Sequence, residues 1–213
     1  MRHILIAVLL QAVMPLYAQN AADILAEAAA IMRQPGGLTA SFAINTRQGQ
    51  SSESFEGVID IKGDKFTLVT PGMKTWYDGH TQWTYIESAR EVNITTPEGD
   101  DLQLTNPAIL LNSYQKNFTA TTIGSATATG SNGKAAHNIE LTPRSKSDII
   151  KVNLLIEKSS SLPVRITVEL KNNVRNTINI SDIKTNPNHP DNYFSFPQSS
   201  YPDAEIIDLR PRP

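Results

Sequence analysis

The spacing of apolar residues near the start of the chain indicates a helix. Between residues 23 and 32, Ile24, Ile31 and Met32 recur at the spacing of one helical face, within an alanine-rich stretch. Pro35 and the two glycines that follow it are typical of a helix end. We therefore predict one short amphipathic helix ahead of the main body of the chain.

Beyond residue 40 the apolar positions alternate with polar ones, which is the pattern of half-buried antiparallel strands. Tight turns such as Lys62-Gly63-Asp64-Lys65 separate these runs, so neighbours in sequence are expected to pair. About eleven strands are predicted, at or around residues 42–44, 55–61, 66–68, 76, 82–86, 90–95, 119–123, 135–142, 149–157, 163–170 and 175–184.

One helix interrupts this series of strands. Asn106 can cap the free amides of a helix that begins at Pro107, where the missing N–H of proline costs nothing. Leu110 and Leu111 then form a short apolar face, and the helix is predicted to run from Pro107 to about Lys116. It either covers a ligand site or caps the edge of a sandwich.

A sheet of about eleven strands curls, and its interior must be filled by a second layer, by a helix or by a ligand. The two predicted helices are thin, and the inward rows of the strands are apolar, so an apolar ligand cavity under a helical lid is predicted. Each of these residues taken singly is more commonly core. The residues predicted to line the cavity and its lid are Ile24, Ile31, Phe42, Phe55, Phe66, Leu68, Trp83, Leu110, Leu111, Ile150, Val152, Ile166 and Val168.

Composition narrows the class of protein. The 213 residues carry 19 Lys and Arg against 21 Asp and Glu, so the chain lacks the basic excess that nucleic acid binding needs. Cysteine is absent, which excludes a disulfide framework, a thiol nucleophile and a lipidated N-terminal cysteine.

The first eighteen residues have the order of a secretory signal peptide: a short basic start, an apolar run and a small residue, Ala18, before Gln19. Residues 1–18 are therefore predicted to be cleaved, and residues 19–213 to form one exported, soluble domain.

Catalytic chemistry is not indicated. His80 lies in a turn, His137 shares a strand face with apolar residues, and His189 lies in a proline-rich loop, so no pair has the spacing of metal ligands. Neither a nucleophile elbow nor a phosphate-binding loop is present in the sequence. We predict no catalytic residue, no metal and no cofactor.

Several segments together carry a family resemblance. They are, in order, Phe55-Glu56-Gly57, Lys62-Gly63-Asp64-Lys65-Phe66, Trp76-Tyr77-Asp78-Gly79, Thr81-Gln82-Trp83-Thr84-Tyr85, Glu91-Val92-Asn93, Asn106-Pro107 with Leu110-Leu111, Leu162-Pro163 and the ending Tyr201-Pro202-Asp203-Ala204-Glu205-Ile206-Ile207-Asp208-Leu209-Arg210. Over nearly the whole mature chain this resembles the LolA family of outer-membrane lipoprotein carriers, most of all its Bacteroidetes-type branch.

The resemblance implies an unclosed β-barrel of eleven antiparallel strands with an α-helical lid, mainly β with short helices. It also implies a monomeric carrier of acylated lipoproteins in the periplasm. An inner-membrane ABC transporter of the LolCDE type would load it, and it would unload to an outer-membrane acceptor that the sequence does not identify. This chain has Gly63-Asp64 where proteobacterial members carry a lid-latching arginine before a proline. An accessory or sensor protein on the same fold therefore stays open as an alternative, and a secreted hydrolase is disfavoured.

Overall fold

The structure, a computed structural model, describes residues 20–97, 107–124, 128–130 and 133–211. The predicted signal peptide and the predicted cap Asn106 lie outside the described residues.

Two helices, two 3-10 helices and thirteen strands are present in these ranges. The helices are α1 (Ala21–Met32) and α2 (Pro107–Asn117), and the 3-10 helices are Asp191–Phe194 and Gln198–Ser200. The strands are β1 (Leu38–Gln48), β2 (Ser51–Lys62), β3 (Lys65–Thr70), β4 (Met73–Tyr77), β5 (Gln82–Ile86), β6 (Glu91–Thr95), β7 (Phe118–Thr122), β8 (Ala128–Thr129), β9 (Ala135–Pro143), β10 (Ile149–Glu157), β11 (Pro163–Leu170), β12 (Val174–Thr185) and β13 (Glu205–Asp208).

The strands form one open sheet in the order β13-β6-β5-β4-β3-β2-β1-β12-β11-β10-β9-β7, with β8 paired to β9. Strand β1 joins the two halves of the sheet. It pairs with β2 on one side and, on the other, with β12 from the later part of the chain. The connection from β6 to β7 contains α2 and joins two strands near opposite edges of the sheet. The predicted unclosed barrel, mainly β with short helices, is confirmed.

Two strands were not predicted. β8 has only two residues, too few for an alternating pattern, and in β13 Ile206 and Ile207 are consecutive rather than alternating. β13 pairs in parallel with β6, so the expectation of a wholly antiparallel sheet is wrong at this edge. Strand β13 can add there because it lies far along the chain from β6 and needs no hairpin turn.

Helix α1 starts two residues earlier than the sequence pattern indicated, because the side chain of Asn20 accepts a hydrogen bond from the amide of Asp23 at 2.9 Å. The buried face of α1 consists of Ala21, Ile24, Leu25, Ala28, Ala29 and Met32. This face packs into the main core on the inner side of the sheet.

The outer side of the sheet is covered locally by the C-terminal segment, which we define as residues 189–208. Trp76 points outward, and its ring lies 5.4 Å from that of Phe196 and 5.6 Å from that of Tyr201. The neighbouring residue Tyr77 points inward, where its ring lies 5.3 Å from that of Phe66. Because side chains alternate along β4, Trp76 and Tyr77 lie on opposite faces of the sheet.

A buried carboxylate ties the C-terminal segment to the sheet. Asp60 is 6% exposed and accepts a hydrogen bond from Tyr193 Oη at 2.8 Å and a second from Thr39 Oγ1, with His189 Nε2 at 3.2 Å. Nearby, the ammonium groups of Lys62 and Lys65 hydrogen-bond the exposed Asp191 and lower the pKa of its carboxyl to about 2.

The Tyr193 hydroxyl is expected to ionise at a higher pH than an ordinary tyrosine. Burial, then the hydrogen bond to Asp60 and the charge of that carboxylate, raise the pKa of Tyr193 to about 12. Because the folded-state pKa lies above the ordinary value of 10.0, the contribution of this group to stability is complete below about pH 10 and is lost as the pH rises through 12. NMR titration of ring-labelled tyrosine measures this directly.

In that titration, Asp60→Asn should bring the pKa of Tyr193 down, because it removes the charge, whereas Asp203→Asn at an exposed position should leave it unchanged. Ionisation of Tyr193 near pH 10 in the unsubstituted protein would contradict the hydrogen bond to Asp60.

Candidate functional site

An apolar cavity of about 230 Å³ lies on the inner face of β12, β1, β2 and β3, next to the end of α1. Among the described residues of its wall, Thr70 alone has a polar side chain. The wall is formed by Met32, Leu38, Ala40, Phe42, Ile44, Phe55, Ile59, Ile61, Leu68, Thr70, Met73, Leu162, Pro163, Ile178, Ile180 and Ile183. Such a wall stabilises apolar groups and offers little to a charged or strongly polar ligand.

The register of the strands explains why the wall is continuous. Ile44 lies between Phe55 on β2 and Ile178 on β12, so three apolar side chains form one row across the sheet. Phe42 lies opposite Gly57, and a Cβ atom at position 57 would come within 2.5 Å of the Phe42 ring. The missing side chain of Gly57 therefore leaves the space that the Phe42 ring occupies in the cavity wall.

The cavity opens beside the half of the β1–β2 hairpin that lies nearer the hairpin turn. Phe55 is 41% exposed and Met73 is 37% exposed, although both belong to the wall. The Phe55 ring meets the Phe42 ring edge-on at 6.5 Å, so the aromatic surface runs from the mouth into the interior. A ligand can reach the apolar wall here without any part of the sheet separating.

A larger and more open groove of about 1100 Å³ borders the same strands. Its lining includes Glu56, Lys134, Glu157 and Asp182, together with small and apolar side chains. Because this lining is charged, the groove is much less suited to a hydrocarbon chain than the smaller cavity.

The structure places the predicted site residues in three groups. Phe42, Phe55 and Leu68 line the cavity. The second group packs in the main core without lining the cavity: Ile24, Phe66, Leu110, Leu111, Val152, Ile166 and Val168 are buried there, and Ile31 is half-buried against them. The third group, Ile150 and Trp83, lies outside the core.

Ile150 was expected inside and lies outside, with 47% of its surface exposed. A β-bulge shifts the register between Ile149 and Lys151, so Ile149 takes the inward position and the alternation resumes at Val152. The sequence Ile149-Ile150 does not indicate which of the two side chains the bulge turns outward.

Trp83 was also placed on the wrong face. It pairs directly with Trp76, which points to the outer side of the sheet, and residues that face each other across two strands share a face. Tyr85, two residues on, packs its ring 4.6 Å from that of Tyr201 in the C-terminal segment. Trp83 therefore belongs to the outer aromatic surface.

Most residues of the wall were not among the predicted ones, although their signal is present in the sequence. Leu38, Ala40 and Ile44 continue the alternation through Phe42 on β1, and Ile178 and Ile180 do the same on β12. Ile183 falls out of phase because the pairing of β1 with β12 shifts between Thr39 and Ser41.

Helix α2 does not line the cavity. It packs against α1 and β7, and Leu110 is 2% exposed within the main core. The part of α1 that reaches the cavity is Met32, at its last turn.

Leu110→Ala should therefore act on stability and leave ligand affinity nearly unchanged. Truncating a buried leucine costs about 2–5 kcal/mol through lost burial and the void left behind. Urea denaturation gives the loss of stability, and titration with a fluorescent fatty acid under conditions where the variant stays folded gives the affinity. A large change in affinity without a loss of stability would show that α2 acts as a gate.

One titratable group near the interior is His137. Burial lowers the pKa of His137, the charge of Lys158 lowers it further, and Glu27 partly opposes both, so the imidazole is held neutral at physiological pH. Among the residues with described positions, no three His, Asp or Glu side chains converge as metal ligands. Within the same ranges, no helix has the length and apolar character needed to cross a bilayer.

An open, mainly antiparallel sheet with an almost wholly apolar cavity, next to a short helix, defines a binding or carrier class of protein. The family model described as "Outer membrane lipoprotein carrier protein LolA" matches residues 12–171. The chain belongs to this family.

Two solved structures agree at the level of the fold. An uncharacterised conserved protein from Thermus thermophilus is 13% identical with a TM-score of 0.58, and the match covers 87% of this chain and 97% of that one. A DUF1329 family protein from Desulfovibrio piger is 11% identical with a TM-score of 0.50, over 82% and 95% of the two chains. A LolA superfamily protein from Nitrosomonas europaea is 18% identical with a TM-score of 0.46, over 84% and 99%. The comparison with curated proteins gave no match.

Proposed function

We propose that this protein is a periplasmic carrier that binds lipoprotein acyl chains in the apolar cavity and ferries lipoproteins from the inner to the outer membrane. The observation that carries the proposal is a cavity whose described wall has Thr70 as its only polar side chain, in a member of the LolA family. Each methylene transferred from water to such a wall contributes about 0.8 kcal/mol.

The size of the cavity bears on how much ligand it takes. Its 230 Å³ lies just below the roughly 300–1,000 Å³ of typical small-molecule pockets, so the cavity as it stands holds part of one acyl chain. Longer chains continue over Phe55 and Met73 at the mouth, or displace the end of α1 at Met32.

The remaining features of the proposal follow the family. The leader, residues 1–18, is cleaved on export, and residues 19–213 work as a monomer without catalytic activity. An inner-membrane ABC transporter of the LolCDE type loads the carrier, which then meets an outer-membrane acceptor.

One observation favours the second candidate, an accessory protein that senses lipoproteins or envelope lipids without ferrying them. The turn at Gly63-Asp64 replaces the latch of the proteobacterial members, and the lysines that flank it, Lys62 and Lys65, bind Asp191 of the C-terminal segment. This hairpin thus holds the C-terminal segment to the sheet rather than latching a lid.

Native mass spectrometry of the protein purified from its own periplasm tests the proposal. A carrier should co-purify with a lipoprotein or its acyl moiety and release it to a fluorescent fatty acid in a saturable titration. Protein that binds the fatty acid but never carries a lipoprotein would favour the sensor. Failure of the protein to bind the fatty acid would contradict both the carrier and the sensor proposals.

A further inference from the structure

Four chain segments meet at one end of the sheet. The amide of Arg144 hydrogen-bonds the carbonyl of Asn117 at 2.8 Å, which joins the β9–β10 turn to the end of α2. The amide of Lys171 hydrogen-bonds the carbonyl of Asp148 at 2.9 Å, which joins that turn to the β11–β12 turn. Strand β12 begins beside the tip of the β1–β2 hairpin, where Val174 pairs with Gln48.

This end carries an excess of exposed cations, and we name it the basic end. Its exposed basic residues are Arg47, Lys116, Arg144, Lys146, Lys171 and Arg175. Among the described residues, the carboxylates at the same end are Glu53, Asp148 and Glu169, with Glu140 next to them. Glu169 lies between Arg175 at 3.8 Å and Lys151 at 4.0 Å, and Lys151 also binds Glu140 at 3.1 Å. The excess is local, because the whole chain has a net charge of −2.

One exposed apolar side chain, Ile150, lies at the basic end. The bulge in β10 turns Ile150 outward, next to the turn that carries Arg144 and Lys146. Phe55, at the cavity mouth, lies on the half of β2 that leads to the hairpin tip. An isoleucine in a strand is normally buried. Bulges are common next to functional sites, where they re-aim a side chain.

We propose that the basic end docks reversibly on the surface of an anionic lipid bilayer. Flexible Lys and Arg side chains around an isolated exposed apolar residue match such a surface, since cations gain energy near anionic head groups and the apolar group enters the interface. An acidic protein partner would account for the cations but not for Ile150 among them. Docking by this end also brings the cavity mouth at Phe55 towards the bilayer, although it does not depend on what the cavity binds.

Vesicle co-sedimentation tests the proposal with two preparations, phosphatidylcholine alone and phosphatidylcholine with one third phosphatidylglycerol. The protein should bind the anionic vesicles only and should dissociate at high salt. The double variant Lys146→Glu with Lys171→Glu should weaken binding at least about tenfold, and Ile150→Ser by several-fold.

Matched controls come from other parts of the surface. Lys158→Glu with Lys184→Glu makes the same change in net charge at exposed lysines away from the basic end, and Ile206→Ser truncates an exposed isoleucine on β13; both should bind like the unsubstituted protein. Absence of binding to anionic vesicles, or equal losses in variants and controls, would overturn the proposal. Fatty-acid titration of every variant should give unchanged affinity, which separates this result from a failure of the cavity.

Discussion

Leu68→Asp should abolish saturable binding of a fluorescent fatty acid while the protein stays folded. Leu68 is half-buried in the cavity wall, so in the free protein a carboxylate there keeps water, but a bound acyl chain would strip that water away. Leaving a charge without solvent or partner costs roughly 3 kcal/mol or more, which corresponds to about a 100-fold loss of affinity. Fluorescence titration measures the affinity.

Val69→Asp is the matched control for this variant. Val69 is the next residue on β3, points to the outer side of the sheet and is 40% exposed, so the same change of charge should leave fatty-acid affinity intact. Equal affinities of the two variants would show that acyl chains do not occupy this cavity.

Phe194→Ala should cost about 3–5 kcal/mol of the free energy of unfolding. Phe194 is fully buried between the C-terminal segment and the outer side of the sheet, where its ring lies 5.4 Å from that of Tyr193. Its truncation leaves a void beneath the 3-10 helix and loosens the hydrogen bonds that hold this segment to Asp60. Denaturant unfolding reports the loss as a lower midpoint at an unchanged slope.

Phe194→Leu keeps most of the volume and should restore most of that stability. If instead Phe194→Ala unfolds at the same denaturant concentration as the unsubstituted protein, the C-terminal segment does not contribute to the stability of the sheet. Either result is independent of ligand binding, because Phe194 lies on the face opposite to the cavity.

Gly57 links the fold to the cavity. It lies opposite Phe42, and an added Cβ atom would lie 2.5 Å from the Phe42 ring and 2.4 Å from the carbonyl oxygen of Val69. A side chain here would move the Phe42 ring, the backbone of β3, or both. Gly57 thus controls the shape of the cavity wall.

Helix α2 illustrates the limit of a local pattern. Its bounds were predicted almost to the residue, because a proline start and an apolar face at Leu110 and Leu111 are local features. Its place was not predicted: it packs on α1 and β7, away from the cavity. Which buried surface a helix covers depends on the path of the whole sheet, and no periodicity within the helix contains that information.

The sequence alone determined the mainly β class, eleven of the strands, both helices and the presence of an apolar interior, because alternation and helix-end residues are set by the nearest neighbours in the chain. The tertiary structure decided which apolar rows enclose space and which simply pack. It turned Ile150 outward through a bulge and put Trp83 on the outer face, opposite Trp76. It also brought Asp60 together with His189 and Tyr193. Such juxtapositions depend on strand register and on contacts between distant segments, which local pattern does not specify.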